Sequence, residues 1–194
     1  MKQAITILMF FLACAAMAVA QAPTPSMATS KLDVSVNYMY QGSHTLEGAS
    51  FSQQGGRADV SYAFRKHMAL VGEFGGSGSN GSAPFGNTQL TYLGGLRLMT
   101  TPTGNKGLGK FSLFTQGLVG GAHGMNGTFP HVSTIYSSAD SMAFSVGGGV
   151  QVKACQKVDI RLFQADYLYT QFYNLVNTHQ NQVRLGFGVV YHIH

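Results

Sequence analysis

Histidine, the residue type best suited to bind a metal or move a proton near neutral pH, occurs seven times in this 194-residue sequence. No H-E-x-x-H motif and no closely spaced pair of cysteines accompanies the seven histidines, so the spacing of a dedicated metal site is missing. His192 and His194 share one face of a predicted strand, where a metal would bind only adventitiously. We therefore predict no metal site and no cofactor. The seven are His44, His67, His123, His131, His179, His192 and His194.

Two glycine-rich stretches resemble phosphate-binding patterns. Residues 76–81 read G-S-G-S-N-G, which fits the G-x-G-x-x-G of dinucleotide sites, and residues 104–110 read G-N-K-G-L-G-K, most of a Walker A loop. Both kinds of site need a helix that points its N-terminus at the phosphate. Residues 82–87 have no helical pattern. Phe111 stands where Walker A needs Ser or Thr, and a predicted strand follows where that site needs a helix. We interpret both stretches as ordinary turns.

Most of the other charged side chains lie in segments whose apolar residues alternate with period two. In residues 31–41 every even position from Leu32 to Tyr40 is apolar or aromatic, and the odd positions are mainly polar. Successive strand side chains point to opposite faces, so this pattern predicts a strand with one apolar face. Its recurrence predicts eight strands, most of them long enough for the roughly 9–11 residues of a membrane strand. The other seven are predicted at about residues 57–65, 70–75, 89–98, 110–123, 142–152, 158–169 and 182–192.

Charge is scarce in the chain. Asp, Glu, Lys and Arg make up 10% of the residues, against roughly 25% in soluble domains, while 45% are hydrophobic. That content excludes a disordered protein, and no stretch after residue 20 reaches the ~18 apolar residues of a spanning helix. A soluble lipocalin-like barrel, the alternative, would need more charge outside. We therefore predict an all-β fold, an eight-stranded antiparallel up-and-down barrel that crosses a membrane with its apolar face toward lipid.

The chain divides into three predicted segments. Residues 1–20 have a basic start, an apolar core and a small-x-small end, which predict a cleaved signal peptide. A lipoprotein site at Cys14 is the competing interpretation. Residues 21–30 predict a flexible lead-in, and residues 31–194 form the predicted barrel. Cleavage would leave Cys155 as the single cysteine, so no disulfide can form within the mature chain.

The connections between the predicted strands alternate in length and composition. Those after the second, fourth and sixth strands are short or moderate and basic, and those after the odd strands are longer and mostly rich in Gly, Ser and Asn. Outer-membrane barrels show this asymmetry, with short turns in the periplasm and long loops outside. We predict that an unknown extracellular ligand binds through loops 42–56, 75–87, 124–139 and 170–180.

Two of the predicted strands carry a family resemblance. Residues 158–170 read V-D-I-R-L-F-Q-A-D-Y-L-Y-T, and residues 181–191 read N-Q-V-R-L-G-F-G-V-V-Y. In them the chain resembles the small outer-membrane β-barrels of the OmpA/OmpX-like, porin-like superfamily of Gram-negative bacteria. The resemblance implies the cell outer membrane, with outer-membrane lipid and the barrel assembly machinery as partners, and it implies no activity. Barrels of this kind commonly end in an aromatic residue, whereas this chain ends Tyr191-His192-Ile193-His194.

The polar strand faces would line the lumen, which in an eight-stranded barrel is just wide enough for side chains to fill. Opposite charges must pair there, because an unpaired charge in a narrow lumen suffers a large desolvation cost. Arg161 and Asp166 differ by an odd step, so strict alternation admits one of them unless a bulge intervenes. We predict a closed lumen with a charge network. Its residues are Asp33, Arg57, Asp59, Glu73, Arg97, Arg161 and Arg184, with Asp166 in the other register of the seventh strand.

These features predict a monomeric protein with a structural or surface-interaction role. They predict no nucleic-acid partner, because the basic residues are spread over turns and lumen. One alternative is a narrow channel for small solutes. Another is a lipid A-modifying enzyme, for which His131 and Ser133 offer a base and a nucleophile, with Asp140 the nearest acid in sequence. Because nothing in the spacing brings those three groups together, we predict no catalytic residue and no enzyme.

Overall fold

Eight antiparallel strands form a closed barrel in which each strand pairs with its neighbours in the chain. β8 pairs with β1, where Ile193 lies opposite Leu32, and this pairing closes the wall. The strands are β1 (Leu32–His44), β2 (Ser50–Arg65), β3 (Met68–Gly78), β4 (Thr88–Met99), β5 (Phe111–His131), β6 (Thr134–Lys153), β7 (Val158–Thr170) and β8 (Gln180–Ile193). The predicted number of strands and the barrel fold are therefore confirmed.

The structure, a computed structural model, describes residues 31–44, 50–79, 88–102, 110–131, 134–172 and 180–193. The predicted signal peptide and lead-in lie outside these residues, as do parts of the predicted loops. Within the described ranges, no helix is long and apolar enough to cross a membrane. We call the two ends of the barrel the turn end, with Leu32, Ile193 and the connections after β2, β4 and β6, and the loop end, with the connections after the odd-numbered strands.

The apolar faces of the strands point outward. Val36 in β1 is 66% exposed, while its neighbours Ser35 and Asn37 are buried in the lumen. The outward facing predicted for a membrane barrel is therefore confirmed, and the soluble lipocalin-like alternative, which needed the opposite facing, is wrong. Exposed apolar side chains on the other strands include Tyr62, Leu70, Tyr92, Val119, Phe144, Leu162 and Phe187.

The strands run further into the predicted loops than their composition indicated. β5 and β6 reach His131 and Thr134, so most of the predicted loop 124–139 belongs to a hairpin. Pairing of β5 with β4 ends at Met125, and pairing of β6 with β7 ends at Ala143, so the hairpin extends beyond both neighbouring strands. Gly, Ser and Asn are depleted in strands on average, but two strands already held in register by the wall can continue to pair through them.

Glycines allow neighbouring strands to approach closely where the small barrel curves. A Cβ at Gly95 in β4 would lie 2.1 Å from the carbonyl oxygen of Gly117 in β5. A Cβ at Gly147 in β6 would lie 2.3 Å from the carbonyl oxygen of Ala165 in β7. Any side chain at Gly95 or Gly147 would therefore push two strands apart, which explains part of the high glycine content.

Candidate functional site

Seven charged side chains meet inside the barrel, and we call them the lumen charge cluster. They come from β2, β3, β4, β7 and β8, and none is more than 3% exposed. Each lies on the inward face of its strand, so residues far apart in sequence come together within the lumen. The cluster consists of Arg57, Asp59, Glu73, Arg97, Arg161, Asp166 and Arg184.

Asp59 holds the part of the cluster that lies nearer the turn end. Its Oδ1 lies 2.9 Å from Nη2 of Arg97, and its Oδ2 lies 2.9 Å from Nη1 of Arg161. The hydroxyl of Ser35 also donates a hydrogen bond to this carboxylate. The guanidinium carbons of Arg97 and Arg161 both lie 4.9 Å from the centre of the Phe114 ring, where cation–π attraction adds to the ion pairing. One carboxylate therefore serves two buried guanidinium groups.

Glu73 and Asp166 hold the part of the cluster nearer the loop end. Arg57 forms an ion pair with Asp166, and its Nη1 lies 3.8 Å from Oε2 of Glu73. Nη2 of Arg184 lies 3.1 Å from Oε1 of Glu73 and donates to Oγ of Ser145 at 2.9 Å. The whole cluster contains three carboxylates and four guanidinium groups, and every carboxylate forms an ion pair with at least one guanidinium group.

A β-bulge in β7 explains how Arg161 and Asp166 both reach the lumen. The pairing register with β8 shifts between Arg161 and Gln164, and Leu162 and Phe163 both face outward, at 56% and 49% exposure. The bulge absorbs the odd step between the two charged residues. Gln164 then links them, because it accepts from Nη1 of Arg161 at 2.8 Å and donates to Oδ1 of Asp166 at 3.0 Å.

Four glutamines form a second group inside the barrel, nearer the loop end, and we call it the glutamine layer. Nε2 of Gln41 lies 2.8, 2.9 and 2.8 Å from the side-chain oxygens of Gln53, Gln89 and Gln182. Ser77 donates a further hydrogen bond to Gln53 at 3.1 Å. The predicted lumen residues were all charged, so this layer was missed, although Gln41, Gln89 and Gln182 fall on the polar face of the alternation and Gln53 belongs to the predicted loop 42–56.

Apolar side chains also occupy part of the lumen. They form one buried cluster on β3 to β7 and the residues just after β7. The inward positions of a membrane barrel are usually polar, so the alternation alone did not single these residues out. With the charge cluster and the glutamine layer, they fill the lumen with side chains. The buried members are Val71, Leu93, Leu118, Ala122, Ala143, Leu168 and Phe172.

Asp33 lies apart from the lumen charge cluster, at the turn end. Its Oδ1 lies 2.7 Å from Nδ1 of His192, and Nε2 of the same imidazole lies 3.2 Å from Oδ2 of Asp159. This trio joins β1, β8 and β7 across the seam where the barrel closes. The alternation indicated the inward face for Asp33 but not its height along the barrel, which depends on the register between strands.

Only some of the residues considered for other chemistry belong to the part of the chain that the structure describes. Oδ1 of Asp140 lies 2.6 Å from Nδ1 of His123 at the loop end. The candidate nucleophile Ser133 lies outside the described residues. Gly76 and Gly78 of the first glycine motif lie within β3, so the described part of that motif begins in a strand.

Comparisons with known proteins agree with this architecture. A family model of the outer membrane protein β-barrel domain matches residues 7–191. The chain is similar in structure to Neisserial surface protein A, with a TM-score of 0.58 and 15% identity over 86% of this chain and 100% of that one. It is also similar to Ail, the attachment invasion locus protein of Yersinia pestis, in a complex with the heparin analogue sucrose octasulfate, with a TM-score of 0.51 and 18% identity over 83% of this chain and 99% of that one. No curated protein matches the sequence.

The two kinds of comparison support different statements. At 15% and 18% identity, the similarity to the solved structures shows a shared fold and nothing finer. The family model covers nearly the whole chain and includes all but the last residues of β8. The chain therefore belongs to the family of outer membrane proteins with this β-barrel domain, and its eight strands cross the outer membrane.

Proposed function

We propose that this protein is a non-conducting outer-membrane barrel that presents its loop end, above all the β5–β6 hairpin, to partners outside the cell. The observation that carries the proposal is the hairpin, which extends beyond its neighbours β4 and β7. Strand pairing beyond the wall adds nothing to the membrane-spanning sheet, whereas exposed connections on a rigid scaffold often carry binding function. Two of the three connections at the opposite end, those after β2 and β6, are short turns, which favours placing the loop end outside.

The filled lumen supports the non-conducting part of the proposal. A solute that passed through would have to displace buried ion pairs, such as those of Asp59 with Arg97 and Arg161. Displacement would leave charges buried without partners, which is strongly unfavourable. The interactions that close the lumen are thus the same ones that hold opposite walls together, and this argues against the narrow-channel alternative.

The composition of the loop end narrows the class of partner. The predicted loops 42–56, 75–87, 124–139 and 170–180 contain no Lys and no Arg. Phosphate and sulfate groups are bound most strongly by those two residue types. We therefore expect a partner with a neutral, hydrogen-bonding surface, and not a polyanion such as the heparin analogue found with Ail. The hydroxyl, amide and aromatic groups of these segments suit such a contact.

Thiol labelling of intact cells tests this proposal, because each end of the barrel has one exposed position at which a cysteine can report access from outside the cell. Ser138 is exposed on the hairpin in β6, and Cys155 is exposed in the β6–β7 turn at the other end. In the variant that combines Ser138→Cys with Cys155→Ser, a membrane-impermeant maleimide should label the protein nearly completely on intact cells. In the wild type, Cys155 should react only after the outer membrane is permeabilised.

The Cys155→Ser single variant is the background control and should not react under either condition. Reaction of Cys155 on intact cells, together with protection of the thiol at position 138, would place the hairpin in the periplasm. That result would remove the proposed surface role while leaving the barrel fold intact.

A further inference from the structure

Basic residues are distributed unevenly between the two ends of the barrel. Of the 12 Lys and Arg residues, Lys2 belongs to the predicted signal peptide and four arginines belong to the lumen charge cluster. All the others lie in the sequence at or beside the turn end, and the predicted loops of the other end contain none. These remaining residues are Lys31, Arg65, Lys66, Lys106, Lys110, Lys153 and Lys157.

Six of these residues belong to the described chain, and we call them the basic ring. No salt bridge among the described residues joins any member of the ring to a carboxylate. The nearby acids Asp33 and Asp159 both contact His192 instead. The side chains of Lys31, Arg65, Lys66 and Lys157 are exposed, and those of Lys110 and Lys153 are half-buried.

The basic ring lies at the edge of the lipid-facing surface. Arg65 directly follows Phe64, and Lys110 directly precedes Phe111, and both phenylalanines are exposed on the apolar outer face. Long basic side chains in such a position keep their stems along apolar surface and extend their charge to the headgroup level. The ring is also spread over the start of β1, the β2–β3 turn, the start of β5 and the β6–β7 turn.

We propose that the basic ring binds the headgroups of anionic phospholipids in the leaflet at the turn end, which is the periplasmic leaflet in the proposed orientation. Basic side chains at a membrane surface attract anionic lipid electrostatically. The spread of the ring around the barrel suits an annulus of lipid. This inference rests on the outer-membrane location and is independent of any partner of the hairpin.

Lipid selectivity of the purified mature protein tests the proposal. We would reconstitute it in vesicles of equimolar phosphatidylglycerol and phosphatidylcholine, with either lipid spin-labelled, and measure the motionally restricted fraction by electron paramagnetic resonance. We expect phosphatidylglycerol to be preferred about fivefold at the ring, and the preference to fall in concentrated salt. Equal restriction of the two lipids in the wild type would overturn the proposal without any variant.

Two triple variants separate the ring from the overall charge of the protein. Arg65→Gln with Lys66→Gln and Lys157→Gln removes three positive charges at the turn end. Ser52→Glu with Ser138→Glu and Gln171→Glu adds three negative charges at exposed positions of the loop end, for the same net change. We expect the first variant to lose most of the preference for phosphatidylglycerol and the second to retain it. Folded samples are identified by gel electrophoresis, in which an unheated folded barrel migrates differently from the same sample after heating; we call this the heat-dependent gel shift.

Three outcomes would contradict this inference. Equal losses in both triple variants would mean that net charge, and not the ring, attracts the lipid. An unchanged preference in the turn-end variant would exclude the ring as the binding surface. If that variant instead lost binding to purified peptidoglycan while its lipid preference stayed unchanged, the ring would be assigned to the cell wall.

Discussion

Asp59→Asn should lower the free energy of unfolding by about 3–5 kcal/mol, the loss typical when one partner of a buried ion pair is removed. Arg97 and Arg161 both depend on this carboxylate, at 2.9 Å each, and both would stay buried in the lumen without it. An amide of similar size cannot neutralise either guanidinium group. We would measure urea unfolding of the refolded protein in detergent, with tyrosine fluorescence as the signal because the chain has no tryptophan.

Two further variants test whether the stability loss in Asp59→Asn comes from the lumen charge cluster. Asp140→Asn removes a carboxylate that is 74% exposed and contacts His123, so its cost should stay below about 1 kcal/mol. Asp59→Leu combined with Arg97→Met and Arg161→Met should recover much of the lost stability, because apolar groups of similar volume often replace buried ion clusters without cost. Small and equal effects of Asp59→Asn and Asp140→Asn would show that the cluster does not stabilise the barrel.

Val36→Arg should destabilise the protein by about 2–4 kcal/mol in phospholipid vesicles, because it places a charge on the lipid face near the middle of β1. Val36 faces outward between the neighbouring residues Ala58 and Val189 of the adjoining strands. The comparison variant Ser138→Arg, on the hairpin beyond the wall, should cost no more than about 1 kcal/mol. Reversible urea unfolding from vesicles gives both values.

A larger side chain at position 36 shows whether this position contacts lipid or lies in a packed protein interior. Val36→Phe should be nearly neutral, because lipid accommodates the larger group. In a packed interior the same enlargement would cost about 1–3 kcal/mol. A large loss for Val36→Phe would therefore mean that the β1 apolar face is packed against protein rather than lipid.

The alternation of apolar and polar residues predicts the strand face on which a side chain lies better than it predicts which other side chains it contacts. Arg57 and Glu73 occupy inward positions of a clear period-two pattern, and the structure places both in the lumen. Their contacts with Asp166 and Arg184 depend on strand register, which brings together residues more than 100 positions apart. The alternation also places Asp33 on the inward face of its strand. Asp33 nevertheless lies at a different height along the barrel, beside His192.

The position of the β7 bulge and the full extent of β5 and β6 could not be predicted from the sequence, for different physical reasons. The bulge in β7 is signalled by the consecutive apolar residues Leu162 and Phe163, since strict alternation would turn one of them into the lumen. Its place could not be chosen from Arg161 and Asp166 alone. The β5–β6 hairpin was predicted as a loop because of its Gly, Ser and Asn residues, and its pairing depends on two strands already aligned by the barrel wall.

Conductance across a planar lipid bilayer tests whether buried side chains close this outer-membrane barrel. Wild-type protein refolded in detergent and showing the heat-dependent gel shift should insert and leave the bilayer silent in concentrated potassium chloride, while a general porin in the same apparatus gives regular current steps. Silence is expected because the lumen charge cluster and the glutamine layer bond across the interior. Reproducible current steps from the folded wild-type protein would show that the lumen conducts and would make the narrow channel the leading function.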